Sequence, residues 1–268
     1  MTGIRAAAVA GTFYPGEAVI LRRVLAQMLD AAPPPTLTPK ALIVPHAGYV
    51  YSGPIAASAY AALKPLRQRV RRVLLLGPAH RVWVPGLALP GAEGFATPLG
   101  TVQLDLEAMA GLDRFAQVRN YPAAHAHEHA LEVQLPFLLS VLEDFRLVPL
   151  VVGGASAREV AEVIEALWGG DETLVVVSSD LSHYHPYDEA RAIDQATVTA
   201  ILDGRSDLLG EQACGAAAIN GLNLAARHKG LRAQLLDLRN SGDTAGDRAR
   251  VVGYAALAYG EAEHAPRH

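Results

Sequence analysis

The sequence of 268 residues contains one cysteine, Cys214, which excludes an internal disulfide framework and suits a reducing compartment. Nowhere does an apolar run approach the ~20 residues needed to cross a bilayer. The short run at residues 6–10, behind Arg5, is too brief for the core of a secretion signal. A soluble, cytoplasmic protein with no membrane partner is expected. Basic clusters are scarce as well. The net charge is −4 and the one basic run, residues 67–72, precedes an expected strand, where it reads as a solvated loop, so no nucleic-acid partner is expected. Internal repeats and breaks in composition are also missing. The length fits one large domain or two small ones on a prior of roughly 100–200 residues per domain; without a break, residues 1–268 read as a single domain.

What the chain does have is three compact apolar runs that each end in a polar, chemically capable turn. Residues 41–44 (ALIV) run into Pro45 and His46, then Gly48, Gly53 and a small-residue helix expected to start at Pro54. Residues 73–76 (VLLL) run into Gly77, Pro78, Ala79 and His80. Residues 174–177 (LVVV) run into Ser178, Ser179, Asp180 and His183. Runs of this length and β-branched content are expected of buried strands. Parallel strands finish on one side of a sheet, and open α/β sheets bind ligands there. His46, His80 and the Asp180/His183 pair are therefore expected to share one crevice.

Around these runs, periodicity predicts helices over residues 17–31, 128–143 with a kink at Pro136, 156–168 with a Ser156/Glu159 capping box, 188–202, and 214–228 closed by Gly230. Short strands are expected at residues 8–16 and 116–119. A further strand at 146–152 contains Pro149, which points to an edge or a bulge. Residues 85–100 read as short strands or an irregular excursion, and 104–109 as a brief helix. The four prolines of residues 32–39 form a rigid connector, and two C-terminal strands, 232–239 and 250–259, are joined by a segment long enough to reach the site. Strands alternating with helices give an α/β fold: a mainly parallel, mixed central sheet with helices on both faces.

His46, His80 and Cys214 are the candidate metal ligands, since two imidazoles and a thiolate with open positions form the layout of a catalytic mononuclear site. The expected place of Cys214 at a helix start favours its thiolate. Asp180 and His183 are the candidate acid/base pair, the carboxylate orienting the imidazole or joining the metal. Taken singly, His46 and His80 read as loop caps and Cys214 as core filler; their convergence favours chemistry. The cluster His125, His127, Glu128, His129 reads as a polar loop in which Glu128 and His129 line the pocket, rather than as a second metal site. Tyr49 and Tyr51, with Phe13 and Tyr14, offer an aromatic wall or simply a core edge. His185, His228, His264 and His268 read as surface residues.

The segments GTFYP at Gly11, PHAGYVYSG at Pro45, LGPAH at Leu76, EHALEVQLPF at Glu128, SSDLSHY at Ser178, ACG at Ala213 and SGDTAGD with VVGYAA after Ser241 together resemble the Memo family. In bacteria and archaea it is also called AmmeMemoRadiSam system protein B. The resemblance spans nearly the whole chain. It implies a fold similar to the class III extradiol (LigB-type) dioxygenases, which hold ferrous iron with two histidines and a carboxylate. Here the matching positions are His46, His80 and Cys214, with Asp180 and His183 as further pocket residues. Sulfur in place of the carboxylate favours copper or zinc more than that set does; Fe(II) remains the first expectation. The resemblance also implies a functional link to a radical SAM protein and an AMMECR-type protein.

Two functions are expected to compete. One is a metal-dependent oxidoreductase acting on a small substrate, with His183 moving a proton. The other is a non-catalytic module that binds a peptide, phosphopeptide or metabolite in the same pocket, where Tyr49 and Tyr51 would matter more than Cys214. Zinc-dependent hydrolysis is a lesser third reading.

Overall fold

The structure is a computed structural model that describes residues 3–34 and 37–261; His264, His268 and part of the proline-rich connector lie outside the described residues. Its strands are β1 (Ile4–Arg5), β2 (Ala41–Val44), β3 (Arg72–Pro78), β4 (Leu87–Leu89), β5 (Gly94–Thr97), β6 (Gly100–Gln103), β7 (Val118–Asn120), β8 (Arg146–Val152), β9 (Thr173–Ser178), β10 (His183–His185), β11 (Leu231–Asn240) and β12 (Val251–Glu261). The helices are α1 (Ala18–Ala31), α2 (Tyr49–Tyr60), α3 (Leu106–Ala110), α4 (Pro122–Ala126), α5 (Leu135–Val141), α6 (Ala157–Ala166), α7 (Tyr187–Leu202) and α8 (Ala216–His228).

The three apolar runs form the parallel centre of a nine-stranded mixed sheet, ordered β10-β12-β2-β9-β3-β8-β4-β7 with β11 paired to β12. Register aligns their ends: Val44 pairs with Ser178, Leu76 with Val177 and Pro78 with Val152. Every residue of β2 and β9 is buried, as strands covered on both faces must be. The expected C-terminal pair is the antiparallel ribbon β11–β12, and β12 continues the sheet onto β2. A small second sheet, β1-β5-β6, fills the Gly/Pro-rich excursion. Helix α2 packs with α1 and α5; α6 packs on α8, which lies against β3 and β9, and α7 lies against β11 and β12.

Proline accounts for several departures from the expected boundaries. Helix α2 begins at Tyr49, so Pro54 lies inside it. Residues 128–143 are a single 3-10 turn at Glu132–Gln134 followed by α5, which carries Pro136 at its second position; the ring fits a first turn, where no N–H is needed. Pro149 sits in an inner strand, flanked by β3 and β4. The Leu147 carbonyl accepts from Asp105 on the outer side, and β4 joins only from Ala88 at Val151. Alternation turns the Pro149 nitrogen into the gap between them, so no ladder bond is lost. Residues 8–16 form a turn with Gly11 at φ 82°, and the N-terminal strand is β1. Cys214 does not begin a helix; α8 starts two residues later behind Gly215. The expected capping box at Ser156 is formed.

Candidate metal centre

His46 and His80 each lie two residues past the end of a parallel strand, and the loop before α5 brings His129 between them. Their rings stand at right angles or stacked: His46 to His80 5.1 Å and 78°, His46 to His129 5.4 Å and 88°, His80 to His129 4.7 Å and 20°. One ligand atom from each falls within 4.8 Å of the other two. His129, expected in the pocket wall, thus joins the cluster itself.

Buried hydrogen bonds fix the tautomer of two of these imidazoles. The Ser178 hydroxyl has one proton, which goes to the Ala130 carbonyl at 2.6 Å. The same oxygen accepts from Gln134 Nε2 at 2.8 Å, and that amide is held by Pro45 O on one side and the Tyr60 hydroxyl on the other. His46 Nδ1, 2.9 Å from this oxygen, must therefore carry hydrogen, which leaves a bare lone pair on Nε2. At His80 the acceptor is Glu128, whose oxygens take the His80 backbone N–H at 2.7 Å and Nδ1 at 2.9 Å. Burial alone would raise the Glu128 pKa, but these bonds from His80 and the Ala130 amide bring it down to about 2. A carboxylate accepts only, so His80 Nδ1 carries the proton it takes, and Nε2 is the ring nitrogen left for a ligand. Glu128, expected to line the pocket, instead lies buried beneath His80.

Desolvation, followed by the field of His80, lowers the His46 pKa to about 3; desolvation, followed by His46, lowers that of His129 to about 4. His129 Nδ1 lies 3.3 Å from Glu128 Oε1, off the line a hydrogen bond requires, and is a buried nitrogen without a partner. Two imidazoles held neutral by burial, ring nitrogens oriented by fixed hydrogen bonds and an orphaned ring nitrogen fit a transition-metal ion.

Cys214 Sγ approaches His46 Nε2 at 3.3 Å, but among the described residues the ligand atoms that lie mutually within 4.8 Å are those of His46, His80 and His129, so the third place expected of Cys214 falls to His129. Burial, then the neighbouring Asp180, pushes the Cys214 thiol up to about 12. Asp180 spans the site: Oδ1 accepts the His46 backbone N–H at 2.7 Å, and Oδ2 lies 3.9 Å from His46 Nε2. Desolvation raises its pKa despite that bond. The expected orientation of His183 by Asp180 is not what holds the ring, because His183 Nδ1 donates to the Leu181 carbonyl at 2.8 Å. The neutral ring accordingly offers Nε2 as a proton acceptor. Tyr49 is a core residue whose hydroxyl donates to Val133 O, and Tyr51 faces solvent in the first turn of α2. In the aromatic wall it is Phe13 that meets the cluster, 4.7 Å from the His129 ring. The segment joining β11 to β12 closes on itself through Asn240 and Asp243, and its Asp243 accepts from Tyr187.

Sequence reasoning missed Gln134 and the part played by Ser178. A signal existed: Gln134 is a polar residue inside the apolar stretch Leu131 to Leu138, and a buried amide needs partners.

A mixed α/β protein with a histidine cluster where its parallel strands end is the class these features define. Comparison gives the family. The profile described as "Memo-like protein" matches residues 5–258. A MEMO1 family protein of Aquifex aeolicus is 32% identical over 96% of this chain and 99% of its own. Others from Ignicoccus hospitalis and Archaeoglobus fulgidus are 36% and 34% identical, over 96% and 94% of this chain and 98% and 97% of theirs. The chain belongs to the Memo family. An uncharacterized Escherichia coli K12 protein, JW3007, overlays with a TM-score of 0.49 at 13% identity, over 81% of this chain and 98% of that one. Among the described residues, no helix is long and apolar enough to cross a membrane.

Proposed function

We propose that the protein is a metal-dependent oxidoreductase acting on a small molecule, with one metal ion held by His46, His80 and His129. The observation that carries this reading is the pair of imidazoles whose Nδ1 is engaged by Ser178 and Glu128, leaving Nε2 for a ligand, within reach of a third imidazole whose Nδ1 has no hydrogen-bond partner. Neutral nitrogen donors suit iron, copper and zinc; Fe(II) is the ion proposed first. When bound, such an ion supplies one-electron chemistry. The chain's own residues do the rest. Ser178 and Glu128 hold two rings in their liganding tautomers, and Asp180 anchors the His46 backbone. His183, with its Nδ1 proton committed to Leu181, takes a proton at Nε2.

The test is anaerobic loading with Fe(II), Cu(I) and Zn(II), followed by element analysis of wild type and single variants. Stoichiometric metal is expected in wild type, with loss in His46→Ala, His80→Ala and His129→Ala. Metal loss in Cys214→Ser with retention in His129→Ala would move the third ligand to sulfur. Equal retention in all variants would remove the site.

A further inference from the structure

A cavity of about 290 Å³ has Cys214, the neighbour of His46, in its lining. It is formed where β3 and β8 end, and its lining includes Pro78, Trp83, Val84, Gly154, Cys214 and Ala217. Cys214 links the cavity to the imidazole cluster, since it lines the cavity and its sulfur lies 3.3 Å from His46 Nε2. The lining has no charged side chain. Its volume is about twice the ~150 Å³ cavity that takes up benzene. Trp83, though it lines the space, is 75% exposed, so its flat ring forms the lip.

We infer that this cavity is the substrate chamber and that it takes an uncharged, flat molecule of one or two rings bearing an acceptor oxygen. The inference rests on the metal reading for what happens next, but not for binding. Size and the indole lip select a ring. Charge is not invited by the wall: a carboxylate would meet only the partial charge of the α8 N-terminus, with no cationic side chain in the lining. A carbonyl or hydroxyl oxygen needs only a hydrogen bond. Ala217 and Ala218, in the first turn of α8, have backbone N–H groups without intrahelical acceptors by position. Gly154 marks the available room, for an added Cβ there would meet Val84 O at 3.8 Å and Trp83 Cζ2 at 3.9 Å, both ordinary contacts.

Because the sequence has a single cysteine, alkylation of Cys214 reads entry into the chamber by mass. The full-length protein, chelator-treated, is exposed to iodoacetamide or to iodoacetate, similar in size but one neutral and one anionic. Each rate is normalised to that with 2-mercaptoethanol. The neutral reagent is expected to be favoured at least about tenfold. Ala217→Leu, which fills the chamber, slows both reagents; Gly154→Leu is the second filling variant, should the first fail to fold. Benzyl alcohol protects wild-type Cys214 from iodoacetamide where benzoate at equal concentration does not, and Trp83→Ala weakens that protection. Equal normalised rates, or protection by benzoate as good as by benzyl alcohol, would overturn the uncharged class. Unchanged alkylation in both filled variants would overturn the chamber. Because no metal is present, these outcomes stand apart from those of the metal-loading experiment.

Discussion

Ser178 is a small residue with a large consequence, because its one hydroxyl proton is already committed to Ala130 and so dictates the proton on His46. In Ser178→Ala the His46 Nδ1–H loses its acceptor, and the alternative tautomer would place hydrogen on the liganding nitrogen. A drop in metal affinity of about 10–100-fold is expected, the usual effect of losing a group that orients a ligand. Competition with a chelating dye measures it; unchanged affinity at full folding would show that Ser178 is dispensable. Arg5 presents a different case. Its guanidinium pairs at 2.6 Å with Glu132, a fully buried carboxylate that also accepts from Ala8 N, Val9 N and the Tyr14 hydroxyl. It further donates to the His125 and Glu128 carbonyls, just ahead of His129. Arg5→Ala should cost about 3–5 kcal/mol in urea unfolding, since it leaves a buried charge without its counterion. Sequence made His46 and His80 legible because each follows an apolar run at once. It placed His129 of HAHEH in the pocket wall but not among the ligands, since how far that histidine turns inward is set by the chain's path around Glu128.

Elements were legible where one local rule dominated. The buried runs and the Ser156 cap needed no tertiary knowledge, and their structures match. The strands β1 and β10 were not foreseen, because two or three residues carry no periodicity, and β10 is set by pairing with β12 through a bulge in which Tyr184 takes φ 65°. Prolines misled for a related reason: whether a missing N–H matters depends on which neighbour faces it. The α6–α8 contact shows an element pair fixed by a single absent atom. A Cβ on Gly221 would lie 2.3 Å from Val160 Cγ1 and 2.4 Å from its Cβ, so the two helices approach as closely as glycine allows. Gly221→Ala gains about 1 kcal/mol of helix propensity against about 1–3 kcal/mol of overpacking, and with contacts this short should be destabilising overall, by up to about 2 kcal/mol. Pairing it with Val160→Ala should recover part of that loss. A double-mutant cycle in denaturant checks this; strict additivity would mean that the helices slide apart freely.

At the scale of the molecule, the convergence of strand ends was legible because parallel strands must finish on one side, whereas the strand order and the small second sheet depend on contacts between segments distant in sequence. The same burial that builds the site makes the fold sensitive to acid, and His125 isolates the effect. It is nearly inaccessible, its Nε2 donates to Ala88 O at 2.7 Å, and Phe95 meets its ring edge. Desolvation lowers its pKa to about 4, with Arg5 adding to the shift while the Ala88 bond and Glu128 oppose it. In the unfolded chain the same imidazole titrates near ~6.5. Between those two values the unfolded state binds the extra proton, so stability falls as pH falls. The contribution is complete above about 6.5, declines by up to about 1.4 kcal/mol per pH unit, and levels off below about 4, where both states are charged. Replacement by a non-titrating amide, His125→Gln, removes this slope while His46 and His129 titrate alike in both proteins and cancel. The wild-type advantage over His125→Gln, measured by urea unfolding at successive pH values, should therefore narrow between pH 6.5 and pH 4 and stay level above it. A constant difference across that window would mean that His125 binds its proton equally in the folded and the unfolded chain, so that burial does not lower its pKa.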